Sequence, residues 1–90
     1  MHAALVRADI PGGVNDARLK NLRDQVIPMV SSAPGFVAGY WTEVIDDKGF
    51  GFVVFQDEAS AKASAPPVGA EMGEGVTIEY VEFREILGSA

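Results

Sequence analysis

The sequence lacks cysteine and contains a single histidine, His2. Without cysteine there is no disulfide, no cysteine-ligated zinc and no cysteine nucleophile, and one histidine excludes a paired-histidine metal site. No run of about 18 apolar residues is present, so no membrane-spanning helix is expected. The first residues also lack the basic flank and long apolar core of a signal peptide, which favours a cytoplasmic protein.

Positive charge is also scarce, because 7 Lys and Arg stand against 13 Asp and Glu, a formal net charge of −6. Proteins that bind nucleic acids neutralise phosphates with basic side chains, so this composition argues against a nucleic-acid partner. The chain is otherwise ordinary for a globular protein, with 48% hydrophobic residues among 90. This length predicts one domain, residues 1–90, whose own core is thin.

Hydrophobic periodicity and turn residues predict six elements in the order β-α-β-β-α-β. Asn15 is expected to cap the first helix, Asp57 the second, and Pro28 is expected to bend or end the first. This order is typical of a ferredoxin-like α+β sandwich, an antiparallel four-stranded sheet with both helices on one face. The expected strands are residues 2–10, 36–45, 50–56 and 76–86, and the expected helices are residues 15–32 and 57–65.

The third strand, within KGFGFVVF at residues 48–55, has apolar side chains on both faces. Two helices cover only one face of a sheet, so the other face is expected to need a partner. The expected partner is a second copy of the chain, in a homodimer built on Phe50, Phe52 and Val54. In the fourth strand, Ile78 and Tyr80 are assigned to one face, opposite Val81 and Phe83.

The same octapeptide matches the signature strand of the RNA-recognition motif, in which exposed aromatic residues stack on bases. Phe50 and Phe52 could take that role. The first strand argues against it, because Val6 stands at the aromatic position and Asp9 at the usual asparagine. In that alignment Arg7 would point towards the helices, where an unpaired charge is costly. RNA binding is therefore only a distant third hypothesis.

Two passages of the sequence resemble the antibiotic biosynthesis monooxygenase-like, dimeric α+β barrel superfamily. They are VIPMVSSAPGFVAGYW, residues 26–41, and FVVFQDEASAKA, residues 52–63; the resemblance extends over about residues 2–87. It implies that two ferredoxin-like sheets pack face to face, and that each subunit keeps a cavity between its sheet and helices.

Members of that superfamily include cofactor-independent quinone-forming oxygenases, haem-degrading enzymes and isomerases. The haem-degrading type carries an Asn on the first strand, a Trp at the end of the third and a His on the second helix. Here the nearest positions hold Val6 and Arg7, then Gln56 and Asp57, and the second helix has no histidine. The resemblance thus implies neither haem degradation nor a bound metal, haem or flavin.

Four residues are candidates for a catalytic site: His2, Arg7, Tyr40 and Trp41. His2 is either a general base in the cavity or a partly exposed residue at a strand end. Arg7 either anchors an anionic or enolate oxygen or pairs with a glutamate of a neighbouring strand, Glu43, Glu79 or Glu82.

Tyr40 and Trp41 are adjacent on a strand and point to opposite faces, and the hairpin register decides which of them lines the cavity. Asn21 is interpreted as solvated surface. The glycines of residues 68–75 do not follow a strand and open a helix, so they do not indicate a phosphate-binding loop.

The favoured function is a small-molecule-binding or cofactor-independent monooxygenase-like protein acting on a hydrophobic or aromatic compound. The alternative is a non-catalytic dimeric binding or structural protein.

Overall fold

Four strands form one antiparallel sheet in the computed structural model, which describes all 90 residues; from one edge of the sheet to the other they are the second, third, first and fourth strands of the sequence. The predicted β-α-β-β-α-β order is confirmed, and this open sheet with its helices is an α+β fold consistent with a ferredoxin-like sandwich. No helix in it has the length and hydrophobicity needed to span a membrane. The elements are β1 (His2–Asp9), α1 (Asp16–Asn21), a π-helical segment (Leu22–Val26), α2 (Ile27–Ser31), β2 (Phe36–Trp41), β3 (Lys48–Phe55), α3 (Glu58–Ser64) and β4 (Thr77–Glu85).

The first helical layer consists of α1, the π-helical segment and α2. It begins at the expected cap, and its turn before Pro28 is wider than an α-helical turn. The side chain of Asn15 accepts a hydrogen bond from the backbone N–H of Arg18, at 2.8 Å. Pro28 has no N–H to donate to the preceding turn, and the π-helical segment lies directly before α2, where the Ile27 N–H bonds to the Leu22 carbonyl. Pro28 therefore changes the helical winding without ending the helix.

The hairpin between β2 and β3 is tighter than expected. Ile45 and Lys48 exchange both backbone hydrogen bonds, each 3.0 Å, across Asp46 and Asp47, which both have positive φ. This is the geometry of a two-residue hairpin turn, so β3 begins at Lys48 rather than at residue 50. β2 ends at Trp41 rather than at residue 45, because the Phe50 N–H donates to the Thr42 hydroxyl instead of a backbone carbonyl.

The side chains of β3 divide between the two faces of the sheet as expected, but those of β4 do not. Phe50, Phe52 and Val54 lie on the face away from the helices, which is called the outer face below, and Val53 and Phe55 face the helices. The pairing of β1 with β4 shifts between Arg7 and Ala8. Because this irregularity adds one residue to β4, Ile78 and Tyr80 lie on opposite faces, and the prediction that they share one is wrong.

The core is small and lies at one end of the sandwich. Seven of the 90 residues are buried. Phe55, the largest of them, meets Phe36 edge to face with ring centroids 6.3 Å apart. The remaining apolar surface of the sheet lines either a cavity or the outer face.

Candidate functional site

A cavity of about 390 Å³ lies between the sheet and the first helical layer. Of its 27 lining residues 19 are hydrophobic, which makes it suitable for an apolar compound. The helix stripe predicted from the sequence forms one wall: Leu19, Leu22, Val26, Met29 and Val30 all line it.

The space exists because the central strands carry small residues on their helix-facing side. Ala4 and Ala8 of β1 and Gly49 and Gly51 of β3 all line the cavity. A larger side chain at Ala8 would extend into the volume that the helices leave open, whereas one at Gly49 would meet Ile10 and Val44 and one at Gly51 would meet Trp41. The small residues therefore form a flat floor, and the helical stripe forms the roof.

Trp41 is the one predicted site residue that lines the cavity. Its indole ring lies over two glycines: a Cβ built on Gly39 would lie 2.9 Å from the ring, and one on Gly51 would lie 3.3 Å from Nε1. Both positions must therefore stay without a side chain for the ring to keep this pose. No buried side-chain nitrogen or oxygen in the structure lacks a hydrogen-bond partner, and the indole N–H is therefore open to solvent or to a bound molecule.

Two polar side chains of α1 stand at the edge of the cavity and hold the loops that close it. Arg18 donates from Nη1 to the carbonyls of Pro11 and Gly13, and from Nε to that of Glu74 at 2.9 Å. Asn21 donates to the Met72 carbonyl at 3.0 Å.

Asn21 is therefore not the solvated surface residue that the sequence suggested, and Arg18 was not expected at the site at all. The only available signal was that both follow the Asn15 cap at helical spacing, next to the apolar stripe.

Tyr40 and Arg7 lie on the outer face, away from the cavity. Tyr40 is 66% exposed and pairs across the strands with Phe52. Arg7 donates from Nε to Glu79 at 2.6 Å, and its guanidinium lies 4.4 Å from the centre of the Tyr80 ring. The ion-pair interpretation of Arg7, with Glu79 as one of three possible partners, matches this contact. Because Arg7 points away from the helices, one of the arguments against RNA binding is wrong.

His2 lies on the helix side of the sheet but does not line the cavity. Its Nε2 is 3.4 Å from the carboxylate of Glu58 in the first turn of α3. This position matches a partly exposed residue at a strand end. The four residues proposed from the sequence thus do not converge on one site.

Four charged residues form a network beside the apolar part of the outer face. Lys48 contacts both Glu79 and, at 3.0 Å, Asp9, while Arg7 holds the other oxygen of Glu79. The hydrogen bond from Lys48, followed by that from Arg7, lowers the pKa of Glu79, and the same contact with Glu79, then Asp9, raises the pKa of Lys48. The network balances two cations with two carboxylates.

The rest of the outer face is apolar on β1, β2 and β3 and is uncovered, while Glu82 and Arg84 of β4 border it beside Leu5 and Ala3. Phe52 stands between Leu5 of β1 and Tyr40 of β2 in one row across three strands, and Phe50 and Val54 lie on either side of it along β3. Phe50 is 47% exposed and Phe52 38%. These residues, Leu5, Tyr40, Phe50, Phe52 and Val54, are called the outer patch below.

The fold and the cavity define an α+β protein with an internal apolar site and an uncovered sheet face. No protein-family model matches the sequence, and no curated protein is significantly similar to it.

Proposed function

We propose that this chain binds a small hydrophobic compound, flat or aromatic in shape, in the cavity between its sheet and first helical layer. The observation that carries this proposal is the cavity itself, about 390 Å³ of mainly apolar space with an indole ring on its wall. Ligand sites in proteins have this size, a mostly apolar lining and a few polar groups that orient the ligand.

We further propose that two copies associate through the outer patch, as in the dimeric α+β barrels that the sequence resembles. The support is the exposed aromatic surface of Tyr40, Phe50 and Phe52 on a face that no helix covers. A two-fold dimer would pair this face with itself, and it would remove apolar surface that a small domain with seven buried residues leaves in water.

Binding is better supported than cofactor-independent oxygenation. That reaction requires removal of a proton from the substrate, and a positioned base must accept it. The lining residues include no histidine, carboxylate, lysine or tyrosine, and His2 and Tyr40 lie elsewhere. Oxygen uptake with any compound that binds would restore the oxygenase interpretation.

Trp41 provides the assay, because it is the only tryptophan and lies on the cavity wall. Naphthalene derivatives titrated into the protein are expected to change its fluorescence with saturation, and calorimetry should give the same affinity. Ala8→Leu fills part of the floor and is expected to abolish binding. The control is Ala59→Leu, at an exposed position of α3 that does not line the cavity.

Circular dichroism should show that both variants are folded. Unchanged binding in folded Ala8→Leu would place the ligand outside the cavity and refute the proposal.

A further inference from the structure

We propose that the ligand of this cavity carries an acidic oxygen, as a carboxylate, phenolate or enolate, that pairs with Arg18. This inference rests on the proposed binding function and specifies the chemical class of the ligand. It starts from one fact: Arg18 is the single charged side chain among the 27 residues that line the cavity.

The charge of Arg18 is not neutralised within the chain. Its three hydrogen bonds all go to backbone carbonyls, those of Pro11 at 2.5 Å, Gly13 at 2.6 Å and Glu74 at 2.9 Å. Carbonyls accept hydrogen bonds but carry no net charge, and no carboxylate forms an ion pair with this guanidinium. Arg7, by contrast, is paired with a glutamate.

One end of the guanidinium remains free to bind a ligand. Nε and Nη1 make the three bonds, so both N–H groups of Nη2 are without a partner in the chain. The nearest atom to a Cβ built on Gly75 is Nη2, at 3.4 Å, so the absence of a side chain there leaves space beside these donors. A ligand oxygen at Nη2 would therefore not compete with the contacts that hold the loops.

The mainly apolar lining of the cavity leaves Arg18 as the only charged group there that can pair with an acidic ligand. A hydrogen bond between an ionised donor and an ionised acceptor is roughly twice as strong as a neutral one. The formal net charge of −6 opposes an anion in general, but salt screens the charges that lie more than about 8 Å away at physiological ionic strength. Asn21, one turn further along and also at the cavity edge, adds a neutral polar group beside the same region.

The test compares two probes of one shape, 2-naphthoate and 2-naphthamide, by Trp41 fluorescence and calorimetry at pH 7. The wild-type chain is expected to bind the acid at least about tenfold more tightly than the amide. Arg18→Met should remove this preference while the amide still binds, and Arg18→Lys should retain part of it. Arg23→Met is the matched control, because Arg23 is exposed on the same helical layer and does not line the cavity.

The ratio of the two affinities is the decisive readout, since loosening of the loops alone would weaken both probes together. Equal affinities in the wild-type protein would overturn this inference and leave the cavity proposal standing, whether or not Arg18→Met folds. A preference that survives in Arg18→Met would also overturn it. If neither probe binds, the proposed function fails first.

Discussion

Phe52→Asp is expected to convert the proposed dimer into monomers without unfolding the subunit. Phe52 lies at the centre of the outer patch, where it pairs with Leu5 on one side and Tyr40 on the other. Its side chain contributes nothing to the cavity or to the buried core. An aspartate at this position would be solvated in a monomer, but in a two-fold dimer centred on the outer patch it would lie close to its own copy.

The exposed fractions of the aromatic residues set the magnitude. Full burial of a large apolar side chain is worth about 1.5–3 kcal/mol. Phe50, Phe52 and Tyr40 are 47%, 38% and 66% exposed, so covering what remains of them contributes about 5–9 kcal/mol over two subunits. Loss of rotational and translational freedom on association costs an estimated 4–15 kcal/mol, so these three side chains alone leave at most about 5 kcal/mol, which corresponds to a dissociation constant of roughly 0.2 mM or weaker.

On the same scale, Phe52→Ala loses about 1–2 kcal/mol and weakens the dimer roughly tenfold. Phe52→Asp also desolvates two like charges at a cost of several kcal/mol, which corresponds to more than about a thousandfold.

Sedimentation equilibrium or light scattering at about 1 mM protein is suited to a dimer of this affinity. The control is Leu87→Asp, since Leu87 is 94% exposed and lies beyond the end of β4. Wild-type protein that remains monomeric would refute the dimer. Tight binding of single-stranded RNA by that monomer, lost on Phe52→Ala, would instead support the RNA-recognition hypothesis.

Two further substitutions test the packing of Trp41 and the charge network. Gly39→Ala places a methyl group 2.9 Å from the Trp41 ring. It should lower the free energy of unfolding by about 1–3 kcal/mol and shift the fluorescence emission of Trp41. Gly88→Ala is the control, because a Cβ there has nothing within 4 Å, and it should change neither quantity. Glu79→Gln should lower stability at pH 7. The pKa of Glu79 is lowered in the folded chain, so its ionised form stabilises the fold at pH values above the ordinary pKa of 4.5. This stabilisation is lost as the pH falls through the lowered pKa. Denaturation at pH 7 and pH 3 should therefore show a difference from wild type that shrinks with acid, and a constant difference would contradict the role assigned to Lys48 as its partner.

The order and type of the elements were predictable because they depend on local signals. The helix stripe from Leu19 to Val30, the Asn15 and Asp57 caps and the two-sided strand β3 can all be read from neighbouring residues. Pro28 indicated where the helix would be irregular, but the sequence did not predict that the irregularity would be a π-helical segment. A helix that lacks one backbone N–H can bend, end or widen, and local signals do not decide among these.

The site depended on non-local geometry. Which of Tyr40 and Trp41 faces the cavity is decided by the register set at the Asp46–Asp47 turn, and one residue of slip would exchange them. The bonds of Arg18 to Glu74 and of Asn21 to Met72 join residues more than 50 positions apart, so helical spacing placed both side chains next to the apolar stripe but did not indicate which loops they would hold.

The alternation of β3 has a consequence for how this protein can diverge or be redesigned. Gly49 and Gly51 look into the cavity, and Phe50 and Phe52 look outwards, along one run of four consecutive residues. If both proposals hold, a side chain added at Gly51 would press on Trp41 and change the cavity, whereas a change at Phe52, which does not line the cavity, would act on self-association. Ligand binding and self-association would then be adjustable separately, through residues on opposite faces of one strand.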